Sequence, residues 1–574
     1  MEINDAPWLK FYDEGVSAEI PPCPVKVVTE ILDNAAAKNP NRTAISFKGN
    51  EISYAKLRQS SEQIAAALKK HGLAPGSRVG IMLPNLPQTI MALFGVLKAG
   101  GVFVMINPTY TTREIALQVQ DSELDMLICL DLFWPKIEAM LSEVPVRKIF
   151  ITSVPDALAF PKNYLAKLKL FKETRKLNLN FDHKTVFPWA ELFSEKKGIS
   201  TPATSSDDLA ALQYTGGTTG ESKGVMLTHH NLCSNVYQIM DMIAPKSKKV
   251  AHQISPTILP YFHVYGMMVG VLIPVCLAGT IIPVPRYVPQ ELLATLSRSR
   301  ATLFGGAPAI FISLMHLREI KEHDLSALDF CISGSAPIPV EHMSAFKELT
   351  GVEICEGYGL TEASPITHLN PVCGKKKFGS IGLPLPSTMA KIVDMEVGTV
   401  EVPYGKAGEL IIKGPQVMKG YWNRPDDTAS TVRNGWLYTG DIALMDEDGY
   451  FYIVDRKKDM AIVGGFNVYP REIDEILHEH PKIKEAVSVG IPHPTKGEIL
   501  KAYIVVKEGE QLDKHEVLAF CREKLAQYKV PRQIEFRADL PRTMVGKVLR
   551  RVLRDEEIAK QQKNPTATMH EDED

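Results

Sequence analysis

The chain has 574 residues, 45% hydrophobic and 23% charged, with a formal net charge of -2. That length exceeds what one hydrophobic core serves, so two or more domains are expected, and the near-neutral balance with no aromatic and basic interleaving argues against a nucleic-acid partner. Eight cysteines (Cys23, Cys129, Cys233, Cys276, Cys331, Cys355, Cys373 and Cys521) are scattered without CxxC pairs, which predicts free thiols in a reducing compartment and no structural zinc. The opening MEINDAPWLKFYDEG has no basic region followed by an apolar run, so no secretory signal is read and a cytoplasmic location is expected.

Along the chain, Ser53 is placed to cap a helix whose Leu57, Ile64 and Leu68 share one face and which ends at Gly72. Residues 78–83 read as a strand, 88–99 as a helix and 102–107 as a strand; Thr111 with Glu114 makes a capping box for the next helix, and 126–131 is another apolar strand. Such alternation implies parallel sheets covered by helices, with ligands gathering at strand ends. Residues 160–176 set Tyr164, Leu165, Leu168 and Phe171 at helical spacing against Lys162, Lys167, Lys169, Lys172 and Arg175. Two readings stand for this stretch: a helix lying on an anionic membrane surface, or an insertion packing its apolar stripe on the main domain.

After an apolar strand at 209–214 comes Thr215-Gly216-Gly217-Thr218-Thr219-Gly220-Glu221-Ser222-Lys223-Gly224. Glycines let backbone N–H groups turn toward an anion, the threonines add donors and Lys223 adds a positive charge, so the stretch reads as a phosphate cradle. It is not a Walker loop, which needs Gly-Lys-Ser/Thr; here Lys223 lies between Ser222 and Gly224. Residues 264–285 carry no charge and have the length of a membrane span of ~20 residues. Gly270, Pro274, Gly279 and Pro283 interrupt them, which favours a buried helix followed by a buried strand.

Four further segments offer groups that nucleotide chemistry needs. Glu356-Gly357-Tyr358-Gly359-Leu360-Thr361-Glu362 supplies an aromatic face, a hydroxyl and a carboxylate; Tyr438-Thr439-Gly440-Asp441 supplies a carboxylate suited to ribose hydroxyls. Asp455-Arg456-Lys457-Lys458-Asp459 is a charged connector ahead of Gly464-Gly465, and Pro541-Arg542-Thr543-Met544-Val545-Gly546-Lys547 ends on a lysine after a glycine. Beyond the connector a smaller α/β pattern begins: Pro470 opens a helix with Ile473, Ile476 and Leu477 facing inward, 485–490 and 501–506 read as strands, and a helix lies around 517–525. The boundary is expected near 456–458, and the acidic tail from about 561 is expected to be disordered.

In this order, and with EGYGLTEASP, NGWLYTGDIALMDEDGYFYIVDRKKDM, GGFNVYPREI and GKVLRR as they stand, the chain resembles the adenylate-forming enzymes. That superfamily comprises the acyl-CoA synthetases, luciferases and peptide-synthetase adenylation domains, and within it the resemblance is to bacterial long-chain fatty-acid CoA ligases. One departure is Ser222, where much of the family has proline before the lysine. The resemblance implies an α/β fold with a large N-terminal domain of helix-covered sheets (1–457), a small mobile C-terminal α/β domain carrying the catalytic lysine (458–560) and a tail (561–574). It implies an AMP-forming acid–thiol ligase using ATP, Mg2+ and CoA on a fatty acid, with peripheral contact at the inner face of the membrane and homodimer formation left open.

By the same resemblance, Thr215, Gly216, Gly217, Thr218, Thr219, Gly220 and Lys223 hold the β- and γ-phosphates. Tyr358 stacks on adenine beside Gly334, Ser335, Ala336, Glu356, Gly357 and Gly359; Thr361 touches the α-phosphate and Glu362 binds magnesium. Asp441 holds the ribose with Arg456 nearby, Lys458 is the residue about which the C-terminal domain swings, and Gly464 and Gly465 face the pantetheine arm. Lys547 is the catalytic lysine and His263 lies beside the acyl carboxylate, although a lone histidine next to an apolar run is more often a core residue. Gly305, Gly306, Ala307 and Pro308 line the acyl channel, where small residues would let a chain pass between apolar walls worth ~0.8 kcal/mol per buried CH2. Alternatives are a medium-chain or aryl acid CoA ligase, a fatty acyl-AMP ligase loading a carrier protein, a luciferase-like oxidase, and a catalytically silent lipid-binding relative. The last should have lost Lys547, Glu362 or Asp441, and all three are present.

Overall fold

The computed structural model describes all residues except 1–2, 176, 178, 196–202, 216–221, 248–251, 464–465, 494–496, 544–547 and 564–574; at 170–175, 246–247, 466–467, 497 and 561–563 only the backbone is described. The expectations for Gly216 to Gly220, Gly464, Gly465, Lys547 and the tail from 564 therefore fall outside the described residues.

Local signals place the N-terminal helices. Ser53 accepts the Lys56 N–H and opens the helix Tyr54–Lys70, whose Leu57, Ile64 and Leu68 are buried. Thr111 and Glu114 form the reciprocal capping box of the helix Thr112–Asp121. Between such helices run parallel strands Arg78–Met82, Val102–Met105, Met126–Leu130, Lys148–Thr152 and Val186–Pro188, continued on the Val102 side by Leu209–Thr215. Strand residues are apolar on both faces because helices cover both. The sheet is mixed where the sequence predicts a parallel one: Lys223–Thr228 returns antiparallel to Leu209–Thr215, and Gly420–Tyr421 pairs antiparallel beyond it. A short connection joins strands only as a hairpin, so this change of direction follows from the loop length.

Residues 264–285 resolve into the helix Val264–Met267, a π-helical turn Met268–Leu272, the helix Ile273–Cys276 and the strand Thr280–Pro283, nearly all buried. Among the described residues no helix is long and apolar enough to cross a membrane. The strand Thr280–Pro283 joins a four-stranded sheet with Ile254–Thr257, Thr43–Phe47 and Asn50–Ser53. A third sheet runs Leu303–Gly306, Phe330–Ser333 and Ile354–Gly359 in parallel, then Ile366–Leu369 and Leu383–Pro384 antiparallel.

The chain divides into two compact units, 1–389 with 412–437 and 390–411 with 438–574. Residues 390–411 and 438–454, which precede the charged connector, thus group with the C-terminal unit. The reason is visible in the strand Trp436–Met445, which from Asp441 to Met445 pairs with Phe451–Arg456 and so carries the chain into the connector. The second unit also holds a sheet in the order Phe466–Val468, Ala461–Val463, Gly497–Val506, Ile483–His493, with Gln533–Phe536 parallel to Gly497–Val506. Its helix Pro470–His478 buries Ile473 and Leu477 as expected, but Ile476 is half-buried and Asp474 is buried instead. Arg550 makes that possible by pairing with the Asp474 carboxylate.

Candidate functional site

In the first unit the ends of the predicted phosphate cradle that the structure describes, Thr215 and Ser222 to Gly224, belong to the paired strands Leu209–Thr215 and Lys223–Thr228 or adjoin them. The register of these strands sets Thr215 opposite Lys223, and the Ser222 hydroxyl donates to the Thr215 carbonyl at 2.6 Å, closing the base of the loop. That bond is a use for a serine where a proline has none to make. Lys223 Nζ lies 2.7 Å from Asp427 Oδ1 and 5.2 Å from the centre of the Tyr421 ring. The Tyr421 hydroxyl in turn donates to Glu362 Oε1 at 2.7 Å, and the Met418 N–H donates to the Glu362 carbonyl at 2.8 Å. Burial and the neighbouring Glu362 carboxylate hold the Tyr421 hydroxyl protonated, so it remains a donor. One edge strand therefore brings the predicted phosphate lysine and the predicted metal carboxylate to one place. Sequence reading missed Tyr421 and Asp427, whose only signal is their tertiary position.

The segment Glu356 to Glu362 ends a central strand and turns. Glu356 is buried, Tyr358 pairs with His368 across the ladder with rings 5.9 Å apart edge to face, and Gly359 pairs with Ile366 through a register shift. Gly359 is needed because a Cβ there would stand 2.0 Å from the Pro365 carbonyl oxygen. Thr361 and Glu362, both half-buried, then sit in a short turn tied by the Ala363 N–H to Leu360 O (2.9 Å) and by the Ser364 hydroxyl to Gln416 O (2.8 Å).

Two side chains, buried Gln213 and half-buried Tyr265, connect the remaining predicted residues to this turn and hairpin. Gln213, two residues before Thr215, donates to the Phe262 carbonyl and so ties the His263 segment to the phosphate hairpin. The Tyr265 hydroxyl lies 3.3 Å from both the Gly306 and the Ile332 carbonyls, and its ring packs against Gly334, whose Cβ position also approaches Gly357 O. His263 immediately precedes the helix Val264–Met267 without a side-chain capping bond, and burial alone lowers its imidazole to about 4, so it is neutral at pH 7. Ser335 is exposed in a left-handed conformation at φ 73°, with Ala336 half-buried beside it. At Gly305 and Gly306 the missing side chains make room for protein: their Cβ atoms would meet Val269 Cγ1 at 2.6 Å and the Phe311 ring at 2.8 Å. Ala307 is buried as the residue preceding the helix Pro308–Met315.

In the second unit Asp441 is buried opposite Arg456, with Arg456 Nε 3.1 Å from Asp441 Oδ1. The next residue, Lys457, pairs with Glu409 at 2.8 Å, while Lys458 is exposed in the turn that follows. The stretch around Lys547 is pinned at both ends: the Leu549 N–H donates to Pro541 O at 2.8 Å, Arg542 pairs with Glu485, and Arg550 pairs with Asp474 and donates to Ser488 O. Burial raises the Asp474 carboxyl to about 6 against the opposing pull of Arg550. Among the described residues no group of three or more His, Cys, Asp or Glu side chains is placed to hold a metal ion.

Residues 32–422 match the family model for the AMP-binding enzyme, and 472–547 match that for the AMP-binding enzyme C-terminal domain. The chain is 45% identical over 561 residues to a long-chain-fatty-acid–CoA ligase of Bacillus subtilis, covering 96% of this chain and 98% of that protein. It is 39% identical over 554 residues to a protein of the same name from Salmonella typhimurium, with the same coverage. Among solved structures, ATP-bound MatB from Rhodopseudomonas palustris superposes with a TM-score of 0.81 at 30% identity, covering 92% of this chain and 98% of that one. Matched by both family models and by relatives over nearly its whole length, the chain belongs to the AMP-binding, adenylate-forming enzyme family.

Proposed function

We propose that the protein is a long-chain fatty-acid CoA ligase, converting ATP, fatty acid and CoA to acyl-CoA, AMP and pyrophosphate through an acyl-adenylate. The geometric observation that supports this is the Lys223–Tyr421–Glu362 connection, in which one tyrosine lies under the Lys223 cation and donates to the Glu362 carboxylate. The substrate class rests on the names of the near-full-length relatives.

A carboxylate is a poor acyl donor because its leaving group would be oxide. Attack on the α-phosphate of ATP replaces that leaving group by AMP, but two anions must first meet, so positioned cations and N–H donors carry most of the catalysis. In this reading residues 215 to 223 hold the β- and γ-phosphates, and Lys223 exchanges Asp427 for phosphate. Tyr358, with Gly334, Ser335, Ala336, Glu356, Gly357 and Gly359, forms the adenine site. Thr361 donates to the α-phosphate, Asp441 accepts from the ribose hydroxyls beside Arg456, and Lys547 bridges carboxylate and α-phosphate. Neutral His263 lies beside the acyl carboxylate without adding charge of its own. The acyl chain enters past Gly305, Gly306, Ala307 and Pro308, so Val269 and Phe311 move aside to admit it.

Glu362 fits a magnesium ion: one carboxylate oxygen is oriented by Tyr421, and no other hydrogen bond to the carboxylate is formed among the described residues. A hard cation would be held there by the Glu362 carboxylate together with phosphate oxygens. Bound there, magnesium would offset phosphate charge. CoA attack needs a different arrangement at the same site, supplied by rotation of the part beyond 457 about the exposed Lys458, with Gly464 and Gly465 making room for the pantetheine arm.

Peripheral lipid contact is part of the proposal. Phe160 (82% exposed) and, in the helix Lys162–Arg175, Tyr164 (61%), Leu165 (60%) and Leu168 (57%) stand in solvent rather than against the main body. With Lys162 and Lys169 alongside, they suit an anionic bilayer surface. Sedimentation with anionic but not zwitterionic vesicles, lost in Leu165→Glu/Leu168→Glu, is the expected result.

The activity is tested by incubating the protein with ATP, magnesium and saturated fatty acids of graded length, with and without CoA, and following AMP and acyl-CoA by mass spectrometry. Acyl-CoA formation strongest at long chains is expected. Acyl-AMP accumulating regardless of CoA would move the assignment to a carrier-loading ligase, and no turnover of any acid would favour a lipid-binding relative.

A further inference from the structure

The His263 side chain makes no hydrogen bond among the described residues, and its ring packs on that of Phe262 with centres 4.9 Å apart. Where the imidazole stands is therefore set by the backbone that carries it. That backbone runs from the end of the strand Ile254–Thr257 to the start of the helix Val264–Met267. Two amide side chains from outside the segment hold it. Asn85 is buried in the connection between the strand Arg78–Met82 and the helix Pro87–Lys98. Its Nδ2 donates to Thr257 O at 3.0 Å and to Leu259 O at 2.9 Å, and its Oδ1 accepts from the Tyr261 N–H at 2.9 Å. Gln213, from the strand Leu209–Thr215 of the same sheet as Arg78–Met82, donates to the Phe262 carbonyl.

A loop packed against protein must find partners for its backbone groups, and here side chains supply them at residues 257, 259, 261 and 262. The loop has little room to relax. The His263 N–H donates to Pro260 O at 3.0 Å, and a Cβ on Gly266 would stand 2.1 Å from the same oxygen. A displacement at 259–261 thus passes to His263, whose side chain has no hydrogen bond of its own to resist it.

We infer that Asn85 and Gln213 are positioning residues for activation of the acid: they fix the backbone that sets the imidazole beside the fatty-acid carboxylate, the placement of His263 on which this rests being the one proposed above. Loss of either amide acts on the acid and spares the nucleotide. Gln213 keeps its ladder partner Val225 whatever its side chain, so the register of the phosphate strands is retained.

The test follows pyrophosphate release by the full-length protein, varying fatty acid at saturating ATP and then ATP at saturating fatty acid. The variants are Asn85→Ala, Gln213→Met, His263→Ala, and each amide change combined with His263→Ala. In Asn85→Ala, kcat/KM for the acid should fall about 10- to 100-fold, as for a misplacement of up to about 1 Å. Gln213→Met gives up one hydrogen bond rather than three and should lose less, so it serves the same comparison if Asn85→Ala does not fold. In both, KM for ATP should stay within about twofold of wild type. With His263 already removed, either change should cost no more than about a further twofold, because its effect passes through the imidazole. Hydrogen exchange should accelerate at 257–266 and not at 126–152. Equal losses toward acid and ATP, faster exchange spread to 126–152, or losses that add to that of His263→Ala would overturn the inference and leave the placement of His263 standing. Wild-type acid kinetics in His263→Ala would overturn that placement, and the inference with it.

Discussion

Gly359→Ala tests how the turn carrying Thr361 and Glu362 is held. A Cβ at Gly359 would lie 2.0 Å from Pro365 O and 2.7 Å from Pro365 C, both backbone atoms, whereas ordinary contact begins at 3.4 Å. The two backbones must therefore separate by about 1.4 Å, which disrupts the 3.0 Å hydrogen bond from Leu360 N to Pro365 O at the mouth of the turn. A misplacement of about 1 Å costs about 100-fold in rate, or about 2.7 kcal/mol of transition-state stabilisation. The expected result is a fall of about 100-fold in kcat/KM for ATP, measured as pyrophosphate release at saturating fatty acid. Gly351→Ala serves as the comparison: its φ of +75° imposes strain, but nothing lies within 4 Å of the added atom. That variant should lose about 1–2 kcal/mol of stability with kcat/KM unchanged. A folded Gly359→Ala enzyme within roughly threefold of wild type would refute the argument that this contact positions the turn.

Asp427→Asn frees Lys223 from its 2.7 Å ion pair; since a part-exposed pair is worth up to about 1 kcal/mol, KM for ATP should fall by up to about fivefold, and a rise would show that Asp427 positions the lysine instead. Arg550→Ala strips the partner from buried Asp474 and should cost about 3–5 kcal/mol in the second unit. Hydrogen exchange should then accelerate in 470–490 and not in 78–152. His368 is buried and held down to about 3 by that burial, whereas an unfolded imidazole titrates near 6.5. The unfolded state thus binds the extra proton between these values, so stability falls as pH drops from about 6.5 toward 3; His368→Gln should flatten that part of a melting-temperature profile. Finally, Lys547→Ala should abolish acyl-AMP formation while sparing transfer from preformed acyl-AMP, and Gly464→Leu should do the reverse. Equal loss of both steps in each variant would count against two working conformations.

What the sequence determined by itself was local or written in contiguous motifs. The Ser53 cap and the Thr111–Glu114 box need only residues three apart, and the alternation of apolar strands and amphipathic helices from 54 to 130 needs only a short window. The order of the motifs pointed to the family because each keeps its chemistry within a few residues. Tertiary structure alone decided the pairings that carry no local signal. Gly420–Tyr421 reaches Lys223–Thr228 as an edge strand, and only that register makes Tyr421 and Asp427 neighbours of Glu362 and Lys223. At Gly305 and Gly306 only the fold shows that an added Cβ would meet Val269 Cγ1 and the Phe311 ring. Asp474 lies on a face that periodicity assigns to apolar residues, and it is buried because Arg550 arrives from the far end of the chain to share its charge. Periodicity records which face a side chain takes, but whether that face meets a methyl group, a ligand or a counter-charge depends on residues distant in sequence.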